Sequence, residues 1–311
     1  MRAPVTTRRA EPKCTNPSTI RVLKCSRPDS DPFISEFNYV HGENALFSRP
    51  AQADATRQQP PHCRYQLLQI LITIHIDWKG IIPMSAFESS ACPTDTKLDH
   101  FSKYVRRQRI ARVLVQYEMF KLVLGIKGSI IECGVHHGSG LMTWAKLSTT
   151  LEPYNYWRKI IGFDTFKGFP AVHDLDGTAR SVRAGMFREN YDIVSELQTC
   201  ISEYDANRFL NDIGKVELVQ GDAIETIPEY VGNNPHLLVS LLYLDFDIYE
   251  PTVAALDHLR SRIPRGGIVA FDEVNNSEWP GETRALLKTF NLNHHNLQCF
   301  PFEPNISFIQ L

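Results

Sequence analysis

IIECGVHHGSG, from Ile130 to Gly140, is the stretch on which the reading of this chain turns. The apolar run SIIEC, beginning at Ser129, leads into a turn spaced by Gly134, Gly138 and Gly140, and the helix-forming segment LMTWAKLS follows at once. That order reads as strand, tight loop, helix. Glycine at such a crossing lets the backbone approach a ligand, and the free N–H groups of the helix offer a polar, anion-friendly end. The same turn also recurs as a packing device, so its surroundings must decide whether it binds anything.

Downstream, strand-like and helical segments alternate. Lys159–Phe163 (KIIGF) runs into Asp164, Val216–Gln220 (VELVQ) into Gly221 and Asp222, Leu237–Leu244 (LLVSLLYL) into Asp245, and Gly267–Phe271 (GIVAF) into Asp272 and Glu273. Near-continuous apolar runs separated by helices predict an α/β fold with a parallel sheet covered on both faces. The runs Leu297–Phe300 and Ile306–Leu311, parted by a turn with Pro and Asn, predict a terminal antiparallel pair. Ligands of open α/β sheets bind at the carboxyl ends of the strands. Asp164, Asp222, Asp245, Asp272 and Glu273 should therefore gather round one crevice. Any single Asp there can equally be a helix N-cap.

Upstream, Thr96–Leu124 has helical periodicity. Phe101, Val105, Ile110, Val113, Leu114, Tyr117 and Phe120 form the expected apolar face, with Lys103, Arg106, Arg107, Arg109 and Arg112 opposite. A basic run of this kind reads first as a solvated face, with an anion-binding surface or an oligomer contact as its competitor. Residues 1–83 are rich in Arg, Pro, Ser, Thr, Asp and Gln and show periodicity only near Leu67–Ile76. They are expected to be a disordered or dispensable extension, leaving 84–311 as the functional domain.

Composition narrows the class further. A net charge of −2 over 311 residues argues against a general nucleic-acid binder and against wholesale attraction to membranes. The ten-residue run LLQILITIHI is too short to span a bilayer. Seven scattered cysteines, without zinc-site spacing, fit reduced thiols in a cytoplasmic protein.

Two constellations carry chemistry. Asp164, at the end of the strand after the glycine loop, is placed to accept hydrogen bonds from ribose hydroxyls of either a nicotinamide cofactor or S-adenosylmethionine. Glu132 separates these two. A carboxylate before the loop repels a pyrophosphate but suits a cofactor with a cationic methionine end, so S-adenosylmethionine fits better. The second constellation is LLYLDFDIYEPT (Leu241–Thr252) with FDE (Phe271–Glu273). Asp245, Asp272 and Glu273, all oxygen donors on strand ends, favour a hard divalent ion such as Mg²⁺. Asp247 and Tyr249 read as packing or capping residues, and His136 and His137 as loop-lining residues at the substrate edge.

IIECGVHHGSG, GFDTFKGFP (Gly162–Pro170), LLYLDFDIYEPT and PRGGIVAFDEVN (Pro264–Asn275) resemble, in order and spacing, the macrocin O-methyltransferase (TylF-like) family over roughly residues 97–290. The resemblance implies a class I methyltransferase (Rossmann-like) fold with seven mostly parallel strands and an antiparallel C-terminal strand. It implies S-adenosylmethionine and Mg²⁺ as cofactors, and a sugar-containing small-molecule hydroxyl as acceptor. Glu132, Gly134 and Gly138 would cradle the methionine part, Asp164 the ribose and Asp222 the adenine edge. Asp245 would be both metal ligand and catalytic base, with Asp272 and Glu273 completing the metal set. Glu273 stands where the family carries Asp, and residues 172–187 fall where it places a mobile substrate-covering loop. Two other classes stay open: a nucleotide-sugar glycosyltransferase using LDFD as its D-x-D motif, and a non-catalytic S-adenosylmethionine-binding protein. A homo-oligomer is left open.

Overall fold

A computed structural model of the protein describes residues 85–177 and 182–311, so the extension expected at 1–83 lies outside the described residues. Ser85 opens the described chain by capping α1 (Ala86–Ser89), with Ser85 and Glu88 bonded reciprocally. Then come α2 (Thr94–Asp99), a 3₁₀ turn at Phe101–Lys103, and α3 (Arg107–Val123). The continuous helix expected from Thr96 is thus broken. Its buried face is also different: Ala111, Val115, Met119 and Val123 point inward, while Val113 and Leu114 are exposed. The spacing of four explains the break. Extended backwards across the break, that stripe would carry Lys103 into the core, whereas the 3₁₀ turn leaves it exposed.

The sheet is built from β1 (Ser129–Cys133), β2 (Ile160–Asp164), β3 (Val216–Gln220), β4 (Val239–Leu244), β5 (Ile268–Phe271), β6 (Leu297–Phe300) and β7 (Glu303–Gln310). Their order is β3-β2-β1-β4-β5-β7-β6. The first five run parallel, and β7 pairs antiparallel with both β5 and β6. This is the seven-stranded, mostly parallel sheet that the apolar runs and their resemblance implied.

Successive strand side chains point to opposite faces, and both faces are filled. Ile130, Ile160, Leu241, Tyr243 and Ile268 pack with α3, α4 (Ser139–Leu151) and α5 (Ile193–Ala206). Ile131, Phe163, Leu242, Val269 and Phe271 pack with α6 (Ala223–Asn233), α7 (Tyr249–Leu259) and α8 (Gly281–Thr289). Trp144, Phe120 and Met119 have no exposed surface. Burial of side chains of this size contributes about 1.5–3 kcal/mol each.

From β1 the chain winds one way to β2 and β3, then returns to β4 on the other side. The carboxyl ends of β1 and β4 therefore flank the switch point where a crevice opens. Gly134 shows how closely the two approach. It has φ of 90°, and a Cβ there would lie 1.9 Å from the carbonyl oxygen of Asp245. Only glycine lets the loop after β1 lie on the end of β4, next to the first residue of the acidic segment.

Candidate active site

A cavity of about 780 Å³ opens at this switch point, lined by the glycine loop, the acidic strand ends and α3. Its most concentrated charge lies at the ends of β4 and β5. Arg112 reaches in from α3. Its Nη2 lies 3.0 Å from Asp245 Oδ2 and 2.7 Å from Asp272 Oδ1, and its Nη1 donates to Asp272 Oδ2 at 3.1 Å. Tyr243, one turn of pleat below Asp245, donates its hydroxyl to Asp272 Oδ1 at 2.7 Å.

Arg112 belongs to the basic run expected to be solvated, and this residue departs from that expectation. Being three and four residues before Val115 and Gln116, it shares their inward face. The signal was present in the sequence as the stripe 111, 115, 119, 123, but the stronger-looking Val113 and Leu114 pointed to the wrong face. Burial acts against the charge on Arg112, yet Tyr243, Asp272 and Asp245 outweigh it and hold the guanidinium firmly protonated. Burial and the neighbouring Asp272 carboxylate push Asp245 well above the usual carboxylate range, with Arg112 opposing. Burial first, then Asp272 and Glu273, push Asp247 up as well.

The loops carrying these acids are tied together by Glu282, which is fully buried at the start of α8. It accepts from the backbone N–H of Asp247 at 3.1 Å and of Glu273 at 3.0 Å. Its role was not legible beforehand, because it lies thirty-five residues from one partner and nine from the other. Asp247 occupies positive φ, and Tyr249 N–H donates to Asp176 at 2.6 Å, so both serve loop geometry. Glu273 lines the cavity but its Oε2 accepts from Asn276 Nδ2 at 2.6 Å.

On the glycine-loop side, Glu132 is buried beneath the first turn of α4. A Cβ on Gly140 would meet its carboxylate oxygens at 2.6 Å, so the third glycine of the loop makes room for the acid. Its Oε2 has no hydrogen-bond partner. Burial pushes its pKa up to about 8, against the Trp144 indole and Arg112. Asp164 is committed to the same loop: Oδ2 accepts from the N–H groups of Val135 at 2.7 Å and His136 at 2.8 Å, and Oδ1 from Phe166 at 2.7 Å. Those bonds hold the loop's shape, leaving limited lone-pair capacity on Oδ1 for anything else. Asp222 N-caps α6 through Ile224 N–H and also lines the cavity. His136, the loop's second residue at positive φ among these, has its imidazole pKa lowered by burial and by His137.

The expected metal set divides. Asp245 and Asp272 meet on a single cationic nitrogen, and Arg112 thereby marks a position where these two acids hold positive charge. All-oxygen donors at such a point fit Mg²⁺. Glu273, turned to Asn276, is not drawn into that pair, and among the described residues the three acids do not form a cluster with metal-ligand spacing.

Comparison with known proteins now adds to the geometry. The family model for macrocin-O-methyltransferase (TylF) matches residues 101–298, which includes all five parallel strands and the acids at their carboxyl ends. The chain belongs to the TylF family. A Streptomyces olivaceus relative, 8-demethyl-8-(2,3-dimethoxy-alpha-L-rhamnosyl)-tetracenomycin-C 4'-O-methyltransferase, is 27% identical over 151 residues, 48% of this chain. That match spans about half of the relative's own length (54%). The crystal structure of the calicheamicin methyltransferase CalS11 is 30% identical with a TM-score of 0.70, covering 85% of this chain and 99% of that one. A structure of the same TDP-rhamnose 3'-O-methyltransferase in its apo form gives 30% identity and a TM-score of 0.63, covering 82% and 96%. The CalS11 structures share the fold, and the fold class is that of class I methyltransferases.

Proposed function

We propose that the protein transfers the methyl group of S-adenosylmethionine to a hydroxyl of a sugar or glycosylated small molecule. The observation that carries this reading is the contact of Gly134 with Asp245, which sets a cation-friendly glycine loop over Glu132 beside a raised-pKa carboxylate within one cavity. Family membership favours methyl transfer over the D-x-D glycosyl-transfer reading. The relatives named above act on rhamnose-containing acceptors, which supports a sugar. So does the aromatic wall, where Phe187 and Trp279 stack with ring centroids 6.2 Å apart and Phe169 meets both edge-on. Such a wall suits the apolar face of a deoxysugar.

In the reaction the acceptor oxygen forms a bond to the methyl carbon. The carbon–sulfur bond breaks with its electron pair passing to sulfur, and the hydroxyl proton goes to Asp245. Asp245 lines the cavity at the end of β4, where it is placed to take that proton. Most of the rate gain comes from alignment of the two reactants. Asp245 and Asp272 would hold Mg²⁺, which when bound lowers the pKa of the reacting hydroxyl. Incubating the full chain with S-adenosylmethionine, Mg²⁺ and TDP-deoxysugars should yield a monomethylated sugar by mass spectrometry. Cofactor binding without methylated product from any sugar acceptor would instead support the non-catalytic reading.

Two expected results bear on the site's parts. Glu132, with a pKa of about 8 in the cofactor-free protein, carries a proton at neutral pH. Binding the cationic amine favours the ionised acid, so cofactor binding near pH 7 should release about one proton. Calorimetry in buffers of different ionisation heat reads that number directly, and Glu132→Gln should abolish it. The second concerns Arg112→Met, which leaves Asp245 and Asp272 without a cation. Metal-free stability should fall by about 2 kcal/mol, less than for a fully buried pair because Arg112 is 35% exposed. Thermal unfolding should show Mg²⁺ stabilising this variant more than the wild type, and an equal response in both would separate Arg112 from the cation position.

A further inference from the structure

The glycine loop carries a second group of metal-type ligands. His136 and His137 lie side by side with ring centroids 4.0 Å apart. Both Nε2 atoms face one oxygen, Glu189 Oε1, at 3.8 and 3.3 Å. The buried Nε2 of His136 has no hydrogen-bond partner. Among the described residues this is the one group of three His, Cys, Asp or Glu whose ligand atoms all fall within 4.8 Å of each other. We propose that His136, His137 and Glu189 form a binding site for a borderline divalent cation such as Zn²⁺, separate from the carboxylate pair at Asp245 and Asp272.

The ligand atoms stand close to metal spacing, at 3.3 Å for one histidine and 3.8 Å for the other, so a small inward turn of His136 would complete the set. With ligand bonds of about 2.0–2.2 Å, the edge of a tetrahedron round Zn²⁺ is about 3.3–3.6 Å. Two imidazoles with one carboxylate leave a fourth position for water, and imidazole nitrogen selects Zn²⁺-like ions over Mg²⁺. An outer partner is in place too. His137 Nδ1 is hydrogen-bonded to the Tyr191 hydroxyl at 2.7 Å, which fixes the ring so that Nε2 faces Glu189.

Position gives the site a consequence. Glu189 and Tyr191 precede α5, on the segment whose Phe187 lines the cavity, while the two histidines belong to the loop between β1 and α4. A bound ion would strap residues 182–191 onto the glycine loop. This holds whether or not the methyl-transfer reading is right, because nothing in it draws on the acceptor or the donor.

The test uses the untagged full chain, stripped with chelator and titrated with Zn²⁺ in excess Mg²⁺. One equivalent should bind by calorimetry, and Co²⁺ should give a tetrahedral visible spectrum. The double variant His136→Ala/His137→Ala should lose both signals, and Tyr191→Phe should weaken binding roughly 10–100-fold. Glu189→Gln, a change at a half-buried side chain that spares the histidines, should also weaken Zn²⁺ binding while circular dichroism shows the fold unchanged. Asp272→Asn should leave Zn²⁺ binding intact, and bound ion should slow amide exchange in 182–191. Absence of binding in the wild type, retention in the double-histidine variant, or loss in Asp272→Asn would overturn the proposal.

Discussion

Asp245→Asn should lower methyl transfer about a thousandfold, within the range lost when a positioned general base is removed. The amide keeps the volume of the carboxylate and can stay within reach of Arg112, so the end of β4 should hold its shape. It cannot take the acceptor's proton. Gly134, not the Asp245 side chain, makes the contact with the β4 end, so cofactor affinity should change by no more than about threefold, a difference under 1 kcal/mol. The pH profile supplies an independent check. A carboxyl must lose its proton before it can act as base, so wild-type kcat should fall on the acid side as Asp245 is protonated; burial raises that point in the metal-free protein, and Mg²⁺ on Asp245 should move it to lower pH. That acid limb should be missing from the residual activity of the variant. Single-turnover measurement with saturating donor reads both effects, and a variant that keeps wild-type turnover would remove Asp245 from the chemistry.

Arg158→Met should cost about 3–5 kcal/mol of folding stability, the loss associated with breaking a buried ion pair on one side. Arg158 is 3% exposed and lies just before β2. Its Nε donates to Glu152 at 2.7 Å, and its other nitrogens reach the carbonyls of Val123 at 3.1 Å, Ile126 at 3.1 Å and Gly128 at 2.9 Å, with the Ser240 hydroxyl as a further partner. Those carbonyls close α3 and lead into β1, so one side chain satisfies helix-end groups that have no partner within the helix. Methionine fills most of the volume but leaves Glu152 and several carbonyls unpaired. Urea unfolding monitored at Trp144, which is fully buried, should show the midpoint shift with little change in slope. Because α3 also carries Arg112, the variant should lose activity through the same displacement. A shift below 1 kcal/mol would show that water replaces these bonds.

The parallel strands could be read because each is a largely apolar run closed by an acidic or glycine residue, and burial of the central strands on both faces demands that composition. VELVQ and LLVSLLYL needed no tertiary information to be recognised as strands, although the second begins at Val239 in the fold. The glycine loop was equally plain, since Gly134 and Gly140 stand where no Cβ fits. The acids at the strand ends followed from the rule that such sheets bind at their carboxyl ends. Chain pattern therefore determined the elements, the sheet class and the neighbourhood of the site.

Tertiary structure alone decided which face of α3 turns inward, because Val113 and Leu114 are as apolar as the residues that are buried, and only the position of the sheet chooses between two adjacent stripes. That choice brought Arg112 between Asp245 and Asp272. Glu282 clamping two loops and Glu189 facing a histidine pair fifty-odd residues earlier were invisible for a related reason: a local pattern reports what a segment buries, while contacts between distant loops depend on where the folded sheet brings their ends. The sequence named the acids, and the fold decided which cation each of them faces.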